Sequence, residues 1–199
     1  MPYHPLPVSR TARLLIATLA TLAFLTPALA QDVVLDEHGR IYHPLQRLSD
    51  TALGARVLAT HNAERQRLGL PALRWNERLA ADARIWAEHL ARDNRTDLPH
   101  DMVHADREGE NLWAGSIHDY TPEEMVSAWI DERQEYKPGV FPNVSTTGDW
   151  EDVGHYTQII WEDTREVGCA LASNHNDEYL VCRYAKPGNW DGEPAIHSH

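Results

Sequence analysis

Two ionisable residues lie where the surrounding pattern predicts the interior of the protein. His155 stands at the edge of an apolar run in the stretch GHYTQIIWEDT, residues 154–164. Glu132 comes three residues after Trp129, on the apolar face of a predicted helix. An unpaired buried carboxylate is strongly destabilising. The pattern therefore predicts either a polar pocket in the core or a Glu132 that pairs with an arginine or a backbone amide at the helix edge.

Two more candidates lie in the stretch HADREGENL, residues 104–112. His104 and Glu110 occur there without any regular hydrophobic period, and Gly109 directly precedes the acid. A glycine lets the backbone approach another group closely, and loops often carry functional residues. The alternative is that both side chains are simply solvated.

The elements that would position these residues follow from periodicity and capping. Helical spacing predicts a first helix that stops before Gly69, a second that begins after the N-cap Asn76, and a third that opens with a Thr121–Glu124 capping box. The predicted segments are helices at 51–68, 76–93 and 121–136, a mobile lead-in at 31–50, and a long irregular segment at 94–120.

The last third of the chain predicts a β-hairpin. Two short β-favouring runs, at 167–172 and 178–185, flank a polar spacer. Cys169 lies in the first run and Cys182 in the second, so that a disulfide would bridge the hairpin and stabilise the fold by roughly 3 kcal/mol. Two free thiols are the alternative. Helices early and strands late predict an α+β fold.

The N-terminus predicts export. Arg10 and Arg13 precede an apolar run at 14–25, and a small-residue cleavage pattern ends at Ala30. This pattern is typical of a signal peptide at 1–30. A membrane-spanning helix needs about 20 apolar residues, and because this run is shorter, a stable membrane anchor is disfavoured. Export could lead to the periplasm or the extracellular space. The acidic balance, with 30 Asp+Glu against 18 Lys+Arg, argues against a nucleic-acid partner.

Two stretches resemble the signatures of a known family. GHYTQIIWEDT, at 154–164, and YLVCRYAKPGNW, at 179–190, resemble those of the CAP superfamily of cysteine-rich secretory, antigen 5 and pathogenesis-related group 1 proteins, also called the SCP domain. Lys186 departs from the residues usual at its position. The resemblance covers residues 51–190, which leaves 191–199 as a tail. The short leader, the single predicted disulfide and the absence of the additional Cys-rich domain of some animal relatives indicate a bacterial exported member. The resemblance implies an α-β-α sandwich with a small antiparallel sheet.

The resemblance also implies a central cavity lined by two histidines and two acids. Carried onto matching positions, these are His104, Glu110, Glu132 and His155. His104 stands six residues before Glu110, where similar proteins are often a residue shorter. Two imidazoles with two carboxylates suit a divalent metal such as Zn²⁺ and leave coordination positions open. The sequence lacks the helical His-Glu-x-x-His motif of zincin-type proteases.

Three functions are compatible with this pattern. The first is a non-enzymatic binding module with a metal cavity and a lipid, sterol or peptide ligand. The second is a metal-assisted, peptidase-like hydrolase in which Glu110 or Glu132 acts as general base. The third is a domain recognised as a whole by a partner, in which the four residues have no role.

Overall fold

The computed structural model describes residues 49–95, 97–101 and 107–197, together with the backbone of 34–35 and 41–42. The predicted signal peptide and His104 lie outside the described residues. Within the predicted lead-in, two short strands pair with each other. The elements, in chain order, are β1 (Val34–Leu35), β2 (Ile41–Tyr42), α1 (Asp50–Arg67), β3 (Arg74–Trp75), α2 (Glu77–Asp93), β4 (Gly109–Ser116), α3 (Pro122–Asp131), α4 (Gly154–Ile160), β5 (Glu166–Ser173) and β6 (Asp177–Ala185).

Strands β3 to β6 form one sheet in the order β3-β5-β6-β4. The pairs β5–β6 and β4–β6 are antiparallel, and the two residues of β3 add a short parallel pair beside β5. Asn174 shapes the hairpin turn, since its Oδ1 accepts the N–H groups of Asn176 and Asp177. Cys169 lies directly opposite Cys182, and the two form a disulfide. The predicted hairpin and its bridge are confirmed.

Helices cover both faces of this sheet. Side chains alternate along a strand, so Tyr179 and Val181 of β6 pack with α2, whereas Leu180 and Tyr184 pack into the cluster that contains residues of α1, α3 and α4. The result is the predicted α+β arrangement, an α-β-α sandwich. Among the described residues no helix combines the length and apolar character needed to cross a bilayer.

Two predicted boundaries are wrong. The segment 94–120 was expected to be irregular throughout, yet its part 109–116 is strand β4, paired with β6 over eight residues. The sequence GENLWAGS carries two glycines and no clean alternation, so pairing with a neighbour outweighs its weak local preference. The third helix ends at Asp131 rather than near Tyr136, and a 3₁₀ turn at Glu132–Gln134 follows it.

A fully buried arginine joins α1 to the end of α4. The guanidinium of Arg65 donates to the carbonyl oxygens of Ile159 at 2.9 Å, Trp161 at 2.8 Å and Thr164 at 3.1 Å, and Nε donates to Pro71 at 2.8 Å. Burial lowers the pKa of Arg65 to about 10, so the group remains charged at neutral pH. The last carbonyls of a short helix are thereby satisfied by a side chain rather than by water.

A second buried charged residue gives a pH prediction. Glu178 is 2% exposed, and burial raises its pKa to about 7, with the nearby Asp119 carboxylate adding to the effect. A raised pKa in the folded state means that folding binds a proton, so stability is full below about pH 4.5 and falls as the pH rises through about 7. We expect Glu178→Gln to match the wild type closely at pH 4 and to exceed its free energy of unfolding at pH 8 by up to about 3 kcal/mol.

Urea unfolding of both proteins at the two pH values measures this difference. Glu77→Gln, at an exposed position of α2, serves as the control and should show the same pH dependence as the wild type. A difference in free energy of unfolding between Glu178→Gln and the wild type that stays constant from pH 4 to pH 8 would refute the prediction.

Candidate functional site

His155 is the second residue of α4, and Glu132 holds it in place. The Nδ1 atom of His155 lies 2.6 Å from Oε1 of Glu132. The other carboxylate oxygen, Oε2, accepts the backbone N–H of Tyr156 at 3.0 Å. Free N–H groups in the first turn of a helix favour a carboxylate. Glu132 therefore fixes both the imidazole and the start of α4, and its position just after α3 ties the two helices together.

Two further contacts orient the His155 region. The ring of Trp129 stacks on the imidazole with centroids 6.0 Å apart and planes inclined by 18°, and its Nε1 donates to the carbonyl of Leu112 on β4. Asn111 Nδ2 donates to the carbonyl oxygen of His155 at 3.1 Å. The imidazole is thus set by contacts from α3 and β4 as well as by its own helix.

Glu110, near the start of β4, has a different set of partners. Its Oε1 lies 2.7 Å from Nδ1 of His100 and accepts the N–H of Asp101 at 3.1 Å. Its Oε2 lies 2.8 Å from Nη2 of Arg183, the residue directly opposite on β6. Arg183 is fully buried and also donates to Asp101 at 2.8 Å. A buried cation therefore stands behind the carboxylate.

Glu110 and His155 face one cavity of about 640 Å³. Glu132 does not line it and lies behind the imidazole of His155. The wall combines acids, histidines, amides and one exposed indole; its members are His100, Asp101, Glu108, Gly109, Glu110, Asn111, Trp150, Glu151, Gly154, His155, Gln158, Pro187, Gly188 and Asn189.

The structure brings three of the four predicted residues to this region. His155 and Glu132 are in contact, Glu110 shares the cavity with His155, and His104 lies outside the described residues. The histidine beside Glu110 is His100, which the sequence reasoning missed. Its only signal was a second histidine in the same irregular segment, ten residues before the acid.

The arrangement has the features of imidazoles prepared as ligands. Both histidines that line the cavity among the described residues, His100 and His155, present Nδ1 to a carboxylate. This arrangement favours the tautomer whose Nε2 lone pair is free. Among the described residues, no group of three or more His, Cys, Asp or Glu side chains is placed to hold a metal ion. His175 lies in the hairpin turn, away from this cavity, and His197 lies 3.9 Å from Asp163.

The far side of α4 is anchored by a second ionic cluster. The hydroxyl of Tyr156 donates to Oε1 of Glu64 at 2.9 Å, and burial together with this carboxylate raises the pKa of Tyr156. Hydrogen bonds from Arg67 keep the pKa of Glu64 below its usual value. The short helix that carries His155 is consequently held on both sides.

The chain matches the profile of the cysteine-rich secretory protein family, CAP, over residues 58–184. A pathogenesis-related protein of the PR-1 type from Sambucus nigra is 35% identical over 136 residues, which cover 67% of this chain and 75% of the relative. Scoloptoxin SSD976 from Scolopendra dehaani is 34% identical over 159 residues, which cover 73% of this chain and 74% of the toxin. The chain therefore belongs to the CAP family.

Solved structures share the fold. The structure of BmVAL-1 superimposes with a TM-score of 0.62 at 21% identity and covers 78% of this chain and 86% of its own. NaASP2, whose structure was solved with Zn²⁺, gives a TM-score of 0.56 at 22% identity and covers 78% and 90%. At these identities the likeness concerns the architecture, and it confirms the CAP-type sandwich.

Proposed function

We propose that this protein is an exported CAP-domain binding module whose cavity holds a divalent metal, Zn²⁺ being the first candidate, and receives a lipid, sterol or peptide ligand. The observation that carries the proposal is the His155–Glu132 pair at the wall of a cavity that Glu110 also lines. The predicted signal peptide at 1–30 and the secretory family support export.

The residues present fit a metal held by two histidines. His155 lines the cavity and would bind the ion through Nε2, because its Nδ1 is already engaged by Glu132, the carboxylate that orients its ring. His104 is the proposed second ligand, and His100, already paired with Glu110, is the competing one. When bound, such an ion supplies open coordination positions for an anion or a ligand group. The NaASP2 structure with Zn²⁺ supports the choice of metal for the first test.

The contacts of the two acids favour binding over hydrolysis. Both oxygens of Glu132 already accept hydrogen bonds, from the imidazole of His155 and the N–H of Tyr156. Oxygen Oε1 of Glu110 is likewise engaged, and Oε2 lies against Arg183. A general base must accept a proton from water in its reacting position. Glu132 would have to give up an existing hydrogen bond to do so, and the remaining oxygen of Glu110 lies beside a guanidinium group.

Zinc titration of the metal-free protein by calorimetry tests the proposal. We expect His155→Ala to weaken Zn²⁺ binding at least 100-fold and Glu132→Gln to weaken it about 10-fold, because the amide orients the imidazole less well. His104→Ala and His100→Ala identify the second ligand, since only one of them should match His155→Ala. His175→Ala, in the hairpin turn, is the matched control.

Unchanged Zn²⁺ affinity in His155→Ala would contradict the metal site. A peptide-cleavage assay on the zinc-loaded protein addresses the hydrolase alternative. Cleavage that disappears in Glu110→Gln or Glu132→Gln while Zn²⁺ remains bound would establish that alternative instead.

A further inference from the structure

The floor of the cavity carries buried oxygen atoms that accept no hydrogen bond. These are Oε2 of Glu108, Oε2 of Glu110 and Oδ1 of Asn111. The side chains of Glu108 and Glu110 are 3% and 7% exposed, and Asn111 is 1% exposed. All three residues line the cavity and stand within four positions of the chain. Buried acceptors without donors are rare in folded proteins, and here the three residues that carry them line the same cavity.

Arg183 supplies charge to this floor without supplying well-directed donors. Its Nη2 lies 2.8 Å from Glu110 Oε2 and its Nη1 lies 4.0 Å from Glu108 Oε2, yet neither carboxylate oxygen accepts a directed hydrogen bond, and the Nε and Nη1 atoms make none. The well-aligned hydrogen bond of the guanidinium runs from Nη2 to the carboxylate of Asp101. The three acceptors therefore lack directed donors within the part of the chain that the structure describes, and the residues that carry them line the cavity.

The cavity also has an excess of negative charge. Four acids line it: Asp101, Glu108, Glu110 and Glu151. Within the described ranges, two guanidinium groups form ion pairs with these acids: Arg183 with Asp101, and Arg78 with Glu108 at 2.6 Å. Among the described residues of this region, carboxylates therefore outnumber the guanidinium groups that pair with them. A concave site with such an imbalance attracts cations and is poorly suited to an anionic ligand.

An exposed indole completes the wall. Trp150 is 39% exposed and lies against Gly154, where an added Cβ would come within 3.2 Å of the ring. Trp190, 48% exposed, donates its Nε1 hydrogen to the carbonyl of Pro187, itself a wall residue. Indole faces attract ammonium and guanidinium groups more strongly than other aromatic rings do.

We propose that the cavity binds an organic cation, the ammonium or guanidinium group of a lysine or arginine side chain presented by a peptide. Several N–H donors on one charged group match several acceptors that lack donors, and the indole face of Trp150 covers the methylene stem. The volume of about 640 Å³ lies in the range of ligand sites and exceeds what a bare ion needs, which favours a side chain with attached backbone. The inference names the peptide class of the proposed binding function and requires no metal.

Calorimetric titration of the full chain in EDTA tests the inference. The probes are Nα-acetyl-lysine methylamide, Nα-acetyl-arginine methylamide and the uncharged analogue Nα-acetyl-norleucine methylamide, which has a chain of similar length. We expect the cationic probes to bind at least 10-fold more tightly than the norleucine probe. Glu110→Gln should remove most of that difference, and Trp150→Leu should weaken lysine binding about 5-fold.

Two controls distinguish cation binding in the cavity from a general effect of surface charge and from binding of a free amine. Glu151→Gln removes an exposed acid of the wall and should weaken binding about 3-fold without disturbing the buried cluster, whereas Glu77→Gln removes the same charge from the surface of α2 and should have no effect. n-Butylamine, which carries the ammonium without a peptide, should bind at least 5-fold more weakly than the lysine probe. Equal affinity for n-butylamine would replace the peptide by a free amine and overturn the peptide assignment.

Equal binding of the lysine and norleucine probes, or undiminished lysine binding in both Glu110→Gln and Trp150→Leu, would refute the inference. Because EDTA is present, this outcome is independent of the zinc titration. Failure of zinc binding with intact lysine binding removes only the metal site, and the reverse result removes only the cation site.

Discussion

Replacement of Arg65 by methionine is expected to lower the free energy of unfolding by about 4 kcal/mol. The guanidinium is fully buried and donates to five backbone carbonyls, one from the loop after α1 and four from the end of α4 and the residues that follow it. Methionine fills a similar volume but leaves those carbonyls buried without donors, and each such loss is destabilising by about 1–3 kcal/mol.

Arg65→Lys separates charge from geometry. A lysine ammonium keeps the positive charge but cannot donate to all of the carbonyls that the planar guanidinium contacts at once. We therefore expect Arg65→Lys to recover less than half of the stability that Arg65→Met loses. Arg74→Met is the matched control, because that side chain is 77% exposed, and a change of no more than about 0.5 kcal/mol is expected there. Urea unfolding monitored by tryptophan fluorescence gives all three values; full recovery in Arg65→Lys would contradict the geometric argument.

Gly168→Ala is expected to lower the free energy of unfolding by about 3 kcal/mol or more. A Cβ at this position of β5 would lie 2.3 Å from the backbone nitrogen of Ala80 and 2.4 Å from the carbonyl oxygen of Asn76. Both atoms belong to the start of α2. The N-cap residue Asn76 is also tied to the sheet, because its N–H donates a hydrogen bond to Val167 O at 2.9 Å. Backbone atoms cannot move aside as a flexible side chain can, so the helix must lift from the sheet.

Gly69→Ala provides the comparison for this clash. Gly69 has φ of +72° and open space around its Cα, so alanine there meets conformational strain alone and should lose only about 1 kcal/mol. Thermal unfolding of both variants distinguishes the effects. Equal losses at the two positions would mean that close packing of α2 on β5 is not what requires a glycine at 168.

The sequence predicted those parts of the site that depend on local periodicity. Glu132 was singled out because helical spacing placed a carboxylate beside Trp129, and the structure gives that carboxylate two donors from the start of α4. The strand β4 was missed because its two glycines weaken the local signal, whereas the eight-residue pairing with β6 that forms it is a long-range effect.

The environment of Glu110 could not be derived from spacing. His100 contacts the carboxylate although the sequence around it has no regular period that would predict this. Arg183 contacts it because the two residues lie opposite each other in the β4–β6 register. Register is set by pairing partners distant in the chain. A charged residue inside the run EYLVCRYA was a local anomaly that could have indicated a buried partner, since an arginine rarely occupies a fully buried strand position without one.

The strand order has a consequence for how the chain acquires its structure during synthesis. The two central strands, β5 and β6, come last in sequence, and the flanking strands β3 and β4 come from earlier segments. When the ribosome has produced the first 160 residues, the early helices have no sheet to pack against, and the nascent polypeptide lacks its scaffold. We therefore expect the sheet to assemble only after the final hairpin has been synthesised, with the earlier helices docking at that stage.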